Sequence, residues 1–158
     1  MCLRYFPINY SKKLNLQNNI LLNFKEELDK EIAAFDICHD SPRDIFELNE
    51  GFIHSPNYPY YYQNSKKCQI NIRTRQQRLV IYMLKLNMEG KGMFSRKPND
   101  FLQVQGGEKF HGKNLPAQVI YNGTERRVEL NFETDWGTST YLDFPKGFLL
   151  YFKRKYID

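Results

Sequence analysis

The sequence lacks the segments that would place a protein in a membrane. Its 158 residues contain no run of about eighteen apolar residues, so no membrane-spanning helix is predicted. The first fifteen residues, MCLRYFPINYSKKLN, lack the sustained apolar core of a signal peptide. Taken literally, this start predicts a protein that stays in the cytosol.

The motifs of common enzyme classes are also missing. There is no HExxH zinc motif, no GxSxG nucleophile elbow and no glycine-rich phosphate loop, and the three histidines, His39, His54 and His111, are scattered. The net charge of +5 and the pI of about 9.0 suggest acidic partners, but no recognised nucleic-acid motif accompanies them. We therefore expect a non-enzyme that does not bind nucleic acid.

Cysteine is scarce, with Cys2, Cys38 and Cys68 as the three examples. None belongs to a CxxC pair and none has a histidine at ligand spacing, which argues against a zinc site. The three can be buried or free thiols in a reducing compartment. Alternatively, Cys38 and Cys68 pair and leave Cys2 over, and the sequence alone leaves both possibilities open.

An amphipathic helix is predicted near the N-terminus, at about residues 14–35. Apolar residues recur there at spacings of three and four, which places them on one helical face. They are Leu21, Phe24, Leu28, Ile32 and Phe35. We expect this face to pack on the rest of the chain or on a neighbouring segment, because the polar face mixes acids with lysines and does not suit a membrane surface.

The rest of the chain has a sequence pattern typical of β-strands. Aromatic residues, which are common in strands, make up 15% of the whole sequence. After residue 38, short alternating or β-branched runs are separated by glycine and proline turns. The runs are CQINIR, RLVIYMLKL, FLQVQ, VELNF and GFLLYFK, and the turns are Gly106-Gly107, Asn122-Gly123 and Pro145-Lys146-Gly147. This pattern predicts an all-β sandwich or barrel.

The stretch GFIHSPNYPYYYQN, residues 51–64, resembles the start of a CUB domain, the extracellular β-sandwich module of complement proteases, tolloid-like metalloproteases and many receptors. NDFLQV, LNFETDWG and KGFLLYF resemble later blocks of that family in the same order. The resemblance implies a CUB-type antiparallel, jelly-roll-like sandwich at residues 38–156, after an N-terminal segment at residues 1–37. The tyrosines of the stretch, Tyr58, Tyr60, Tyr61 and Tyr62, are predicted to pack on one end of the sandwich, and Tyr62 alone is given a further role.

The resemblance also implies how the cysteines pair. Cys38 and Cys68 match the family's first disulfide, while the family's second pair is absent, with Ser95, Arg96 and His111 near its expected positions. Such a bridge requires an oxidising compartment. We therefore expect a secreted, extracellular protein whose N-terminus is incomplete or mispredicted, with Asn122 as a glycosylation acceptor on a predicted turn.

A calcium site is the main chemical implication of the resemblance. The matching residues are Glu89, Asp100 and Asp135 as carboxylate ligands, a backbone carbonyl at about Gly137, Tyr62 as the residue that orients the glutamate, and Thr138 where an asparagine often completes the shell. Such an oxygen-rich set suits Ca²⁺. The stretch from Glu89 to Asp100 is longer than usual in the family, and the alternative is three unrelated surface acids.

The resemblance predicts a non-catalytic extracellular interaction module whose calcium site grips a lysine or arginine of a partner protein. One alternative is a fragment of a secreted astacin- or tolloid-like metalloprotease. Another is a calcium-independent CUB domain that binds a sulfated glycan through a basic face. The alternative for these basic residues is an ordinary solvated surface. They are Lys66, Lys67, Arg73, Arg75, Arg78, Lys85, Lys91, Arg96 and Lys97.

Overall fold

The computed structural model describes residues 32–46, 48–75, 77–91, 99–136 and 145–156, which form ten β-strands. They are β1 (Ala34–Asp36), β2 (Arg43–Ile45), β3 (Glu50–His54), β4 (Lys67–Arg73), β5 (Gln77–Asn87), β6 (Phe101–Val104), β7 (Lys109–Phe110), β8 (Gln118–Gly123), β9 (Arg127–Glu133) and β10 (Gly147–Tyr156). Within these ranges there is no helix long and apolar enough to cross a bilayer.

The strands form two five-stranded sheets. The first sheet has the order β1-β3-β10-β5-β8, and the second has the order β2-β4-β9-β6-β7. Neighbouring strands are antiparallel, except that β1 pairs with β3 and β2 with β4 in parallel. The predicted all-β sandwich is thus confirmed.

The core lies between the two sheets and follows the period of two that a strand imposes. In β4, Cys68, Ile70 and Ile72 face inward, as the alternation in CQINIR predicts. The centre is aromatic: the Phe132 ring meets the Phe148 ring nearly edge to face, with centroids 5.3 Å apart. All five side chains belong to one continuous apolar cluster that both sheets share.

The predicted N-terminal helix lies outside the described residues up to residue 31. Its last two residues, Ala34 and Phe35, belong to strand β1, so the predicted end of the helix is wrong. Phe35 pairs with Ile53 of β3 and is buried at 4% exposure, so pairing with the sheet overrides the helical spacing. The first sheet therefore begins before residue 38.

The Cys38–Cys68 disulfide is present, with a Cα–Cα distance of 4.9 Å. Cys38 follows β1 of the first sheet, and Cys68 lies in β4 of the second sheet. The bridge therefore ties an edge of one sheet to the other sheet. This confirms the pairing that the resemblance implied.

In the tyrosine-rich loop after β3, fewer tyrosines pack on the core than the sequence predicts. Tyr60 and Tyr61 are 73% and 59% exposed, so the expectation that they pack on the sandwich is wrong. Tyr62 alone is buried, with its ring edge-on to Phe132 at a centroid distance of 5.5 Å. A single tyrosine fills the space at this end of the core, and its two predecessors remain on the surface.

Candidate metal centre

Four of the predicted site residues meet at one end of the sandwich. Tyr62 lies in the loop after β3, Glu89 follows β5, Asp100 immediately precedes β6, and Asp135 follows β9. The pairing of Phe101 with Glu133 places the start of β6 beside the end of β9. Residues distant in sequence are thus brought together by the register of the strands.

The Tyr62 hydroxyl connects two of these positions. It donates a hydrogen bond to Asp100 Oδ2 at 2.6 Å and accepts one from the backbone amide of Glu89 at 3.0 Å. Burial, followed by the bond to Asp100, raises the pKa of the Tyr62 hydroxyl, so the group stays protonated and keeps donating. Tyr62 therefore fixes the Asp100 carboxylate as well as the backbone at Glu89.

The second oxygen of Asp100 is also bound. Asp100 Oδ1 accepts a hydrogen bond from the backbone amide of Asp135 at 2.9 Å. The carboxylate is almost fully buried, at 1% residue exposure. Asp100 is therefore the organising residue of the cluster, since it holds the tyrosine on one side and the β9 end on the other.

The three acids form a compact group. One carboxylate oxygen from each of Glu89, Asp100 and Asp135 lies within 4.8 Å of the other two. Glu89 is 8% exposed and Asp135 is half-buried. Acids that are this close and this poorly solvated repel one another, because burial weakens the screening by water.

The electrostatic cost is visible at Asp100. Burial, and to a smaller extent the neighbouring carboxylates of Glu89 and Asp135, raise the pKa of this carboxyl from 3.8 to about 6. The hydrogen bonds from Tyr62 and from the Asp135 amide act in the opposite direction but do not offset the burial. The arrangement favours a bound positive charge, either a proton or a cation.

Backbone contacts hold the loops that carry the cluster. The Thr134 amide donates to Lys66 O at 2.9 Å, and the Ser65 amide donates to Asp135 O at 2.6 Å. Thr134 Oγ1 accepts from the Lys66 amide and donates to Gln63 O. The chain around Tyr62 and the chain around Asp135 therefore form one paired unit.

Gly147 allows the last strand to approach the same end of the sandwich. It has a φ of 87°, and a Cβ there would lie 1.8 Å from Ser55 Oγ. Ser55 is fully buried, and its Oγ accepts a hydrogen bond from the Phe148 amide at 3.1 Å. The serine of SPNYP thus joins the loop to β10, a role that no local sequence pattern predicts.

Trp136 is a surface feature that sequence reasoning missed. It directly follows Asp135 and is 88% exposed. The predicted contributions of Gly137 and Thr138 lie outside the described residues, as does most of the long stretch between Glu89 and Asp100.

Removing the Tyr62 hydroxyl is expected to loosen the cluster. Tyr62→Phe keeps the ring against Phe132 but leaves buried Asp100 with one donor fewer. We expect the free energy of unfolding to fall by about 1–2 kcal/mol, the usual cost of an unsatisfied buried polar group. Urea unfolding in a chelator measures the change, and Tyr60→Phe at an exposed position is the matched control. An equal effect of the two variants would contradict this role for Tyr62.

The described residues of the predicted basic face do not share one surface, so they do not form the single face that the glycan alternative requires. Lys67 and Arg73 lie on the outer side of the second sheet, whereas Arg78 and Lys85 are exposed on β5 of the first sheet. The two outer sides point away from each other across the shared core. On the second sheet the charge is also balanced by acids, as in the 3.0 Å ion pair of Arg73 with Asp44.

Asn122 is exposed, as a glycosylation acceptor requires, but it does not lie in a turn. It is the second-last residue of β8, an edge strand of the first sheet, where it pairs with Val80. The predicted turn at Asn122-Gly123 is therefore wrong by one or two positions, since the ladder with β5 continues through Gly123.

Comparison with known proteins places this architecture in a family. A sequence model of the CUB domain matches residues 38–148. No curated protein matches the chain in sequence.

Solved structures share the fold at low sequence identity. The CUB1-EGF-CUB2 domains of rat MASP-1 align with a TM-score of 0.60 and 19% identity, over 73% of this chain and 43% of that one. The full extracellular region of zebrafish Gpr126/Adgrg6 aligns at 0.56 and 23%, over 72% and 14%. The MASP-1 CUB2 domain bound to Ca²⁺ aligns at 0.55 and 18%, over 72% and 98%. The chain thus spans less than half of the two longer proteins.

Proposed function

Because the chain belongs to the CUB domain family, we propose that it is a non-catalytic interaction module whose acidic cluster binds one calcium ion and, through it, a basic side chain of a partner. The observation that carries the proposal is the juxtaposition of Glu89, Asp100 and Asp135 within 4.8 Å. The predicted metalloprotease fragment has no observation in its favour among the described residues.

The donor set fits calcium. Ca²⁺ takes six to eight oxygen ligands, commonly carboxylates and backbone carbonyls, and tolerates irregular geometry. The cluster offers carboxylates only, with no sulfur or imidazole ligand of the kind that zinc prefers. The Gly137 carbonyl and Thr138 are the residues that would complete the shell. A Ca²⁺-bound relative of the same fold, the MASP-1 CUB2 domain, supports the choice of ion.

The raised pKa of Asp100 supports the same conclusion. Burial, with the neighbouring carboxylates, raises the pKa of Asp100 to about 6, so the buried carboxyl is partly protonated just below neutral pH. A divalent cation would supply positive charge and keep all three carboxylates ionised. The Tyr62 hydroxyl and the Asp135 amide would then orient Asp100 towards the ion.

The partner is expected to offer a lysine or an arginine. Three carboxylates outweigh the charge of one calcium ion, and the remaining negative charge can accept charge-assisted hydrogen bonds from an ammonium or guanidinium group. Trp136 lies beside Asp135 and exposes its ring, which can pack on the aliphatic stem or the cation of such a side chain.

An extracellular setting is part of the proposal. CUB domains are typically extracellular, and the Cys38–Cys68 bridge is stable where thiols are oxidised. In the part of the chain that the structure describes, no observation favours a sulfated glycan as the partner, since the basic residues there divide between opposite faces.

Binding of a lysine peptide tests this function. We expect a peptide with one exposed lysine to bind in millimolar calcium and to lose about tenfold or more in affinity on lysine acetylation, because hydrogen bonds to charged groups contribute about 1.5–3 kcal/mol. Fluorescence of Trp136, the one tryptophan of the chain, can report binding. Asp135→Asn should abolish binding, whereas Glu108→Gln at an exposed position should not. Equal affinity in a chelator would contradict the mechanism.

Glycosylation of Asn122 is a separate prediction. Expression through a eukaryotic secretory pathway should add a glycan to Asn122, because the exposed side chain lies on an edge strand with its sequon intact. Mass spectrometry should detect the glycan and lose it in Asn122→Gln. A fully secreted chain without sugar at Asn122 would contradict the prediction.

A further inference from the structure

The end of the sandwich opposite the acidic cluster carries an excess of cations. This end is formed by the start of β5, the end of β10 and the turns that follow β4 and β8. Because β5 spans eleven residues, its start lies about 33 Å from the end at which Glu89 follows it. Four exposed cations belong to this end, and we call them the basic patch: Arg75, Arg78, Arg126 and Lys155.

Backbone contacts bring the residues of the basic patch together. Lys155 and Arg78 are direct partners in the ladder between β10 and β5, so their side chains leave the same side of the sheet. The Thr74 amide donates a hydrogen bond to Arg126 O at 2.9 Å, which joins the turn of Arg75 to the turn of Arg126. Like charges directly opposite each other destabilise a sheet, so the pair of Lys155 and Arg78 is unfavourable in the isolated domain.

Acidic side chains do not neutralise the basic patch. Within the described ranges, none of its four cations forms an ion pair. Arg73, at the end of β4, differs from them because Asp44 lies 3.0 Å from its guanidinium. Glu125 precedes Arg126 in its turn and offsets one charge at most. The basic patch therefore keeps a net positive charge.

A fifth cation, Arg154, is buried at the same end of the sandwich. Its side chain is 7% exposed, and its terminal nitrogens donate to Phe46 O at 2.6 Å and to Ile45 O at 3.1 Å. Among the residues that the structure describes, no acid pairs with Arg154, and its Nε has no hydrogen-bond partner. Burial, followed by the charge of Arg75, lowers the pKa of this guanidinium. A buried cation that is held only by carbonyl oxygens adds to the positive potential of this end.

Exposed apolar side chains lie among these charges. Phe46, whose carbonyl accepts the bond from Arg154, is 54% exposed, and Tyr156, two residues after Arg154, is 78% exposed. Leu48 is exposed as well. Arginine and aromatic residues are enriched in protein interfaces. A sulfated glycan would engage the cations but offers little apolar surface to Phe46 and Leu48, so the mixture favours a protein partner.

We propose that the basic patch, with Phe46 and Tyr156, is a second interaction surface that binds an acidic patch on a partner protein. Carboxylates of the partner pair with the four cations, since the guanidinium fork matches the two oxygens of a carboxylate. An apolar side chain of the partner packs on Phe46 and Tyr156. This surface needs no calcium and does not rest on the proposed calcium site. Because the two surfaces lie about 33 Å apart, the domain can bridge an acidic partner and a basic one.

Fluorescence anisotropy of a labelled acidic peptide tests the basic patch in the full chain. The probe is a short peptide of glutamates and leucines, titrated in a chelator at low salt. We expect saturable binding that falls by about tenfold or more in Arg75→Gln with Lys155→Gln, because each cation donates charge-assisted hydrogen bonds. Lys67→Gln with Lys85→Gln removes the same charge away from the basic patch and should leave the affinity unchanged. Equal losses in the two double variants, or no saturable binding, would overturn the proposal.

A second measurement distinguishes a protein partner from a glycan. Tyr156→Ser should weaken binding of the peptide by about fivefold, since aromatic side chains contribute strongly to protein interfaces. A sulfated oligosaccharide is the competing probe, and we expect it to bind more weakly than the peptide. If the oligosaccharide bound more tightly and lost nothing in Tyr156→Ser, the surface would belong to a glycan and the proposal would be wrong.

Discussion

Replacing both Cys38 and Cys68 with alanine is expected to lower the free energy of unfolding by about 3–4 kcal/mol. The bridge closes a loop of 30 residues, and the chain-entropy estimate for a loop of that length gives this value. A domain of this size has a stability of about 5–15 kcal/mol, so the loss is a large part of the total. The bridge also joins an edge of the first sheet to β4 of the second, so its removal acts on both layers.

Urea unfolding of the oxidised protein measures this effect, and Cys2→Ala is the matched control. The control should change the midpoint little, because Cys2 is not part of the bridge. A thiol reductant should lower the stability of the unsubstituted protein and leave the double variant unchanged. If the double variant unfolded at the same urea concentration as the oxidised protein, the proposed role of the bridge would be wrong.

Without calcium, the protein is expected to lose stability as the pH rises from about 4 to about 7. Asp100 has a pKa of about 6 in the folded chain and an ordinary value of 3.8, so the folded state binds the proton more tightly than the unfolded state. Stability from this group is present at low pH and is lost as the pH passes through 6. The loss is about 1–2 kcal/mol when screening by solvent at this end of the sandwich is allowed for.

Calcium is expected to reverse this trend. The ion requires ionised carboxylates, so its binding strengthens as Asp100 loses its proton. At a calcium concentration about one hundred times the dissociation constant, stabilisation is about 2.7 kcal/mol. The free energy of unfolding should therefore rise between about pH 5 and pH 7 in calcium and fall in a chelator.

The variant Asp100→Asn tests whether Asp100 causes the pH dependence of stability and the stabilisation by calcium. The variant should remove most of the pH dependence in the chelator and most of the stabilisation by calcium, whereas Glu108→Gln should retain both. Chemical unfolding at a series of pH values, with and without calcium, gives the two slopes. Slopes of the same sign in calcium and in chelator would contradict the account of the cluster.

The strands and their inward faces could be predicted from the sequence because alternation is a local property. CQINIR, VELNF and GFLLYFK each place apolar residues two apart, and each forms the expected strand. β1 and β2 could not be predicted in this way, since each has three residues and is stabilised by parallel pairing with a distant strand. The helical spacing of the apolar residues predicted Phe35 as part of a helix, but Phe35 lies in β1 and its side chain packs in the core between the sheets.

The residues of the candidate site could be predicted from the sequence, whereas their hydrogen bonds could not. Resemblance brought Tyr62, Glu89, Asp100 and Asp135 together as a set, and the strand register places them at one end of the sandwich. The direction of the hydrogen bonds could not be predicted, and Tyr62 orients Asp100 and the backbone of Glu89. The exposure of Trp136 also had no local signal, because it depends on how the chain leaves β9.

The most direct test of the calcium site is a calorimetric titration of the oxidised full chain with calcium, alongside Asp135→Asn and Glu108→Gln. We expect one ion per chain in the unsubstituted protein and in Glu108→Gln, and a loss of binding of about tenfold or more in Asp135→Asn, because the variant lacks one of three charged ligands. No saturable calcium binding, or equal binding by the three proteins, would contradict a calcium site at Glu89, Asp100 and Asp135.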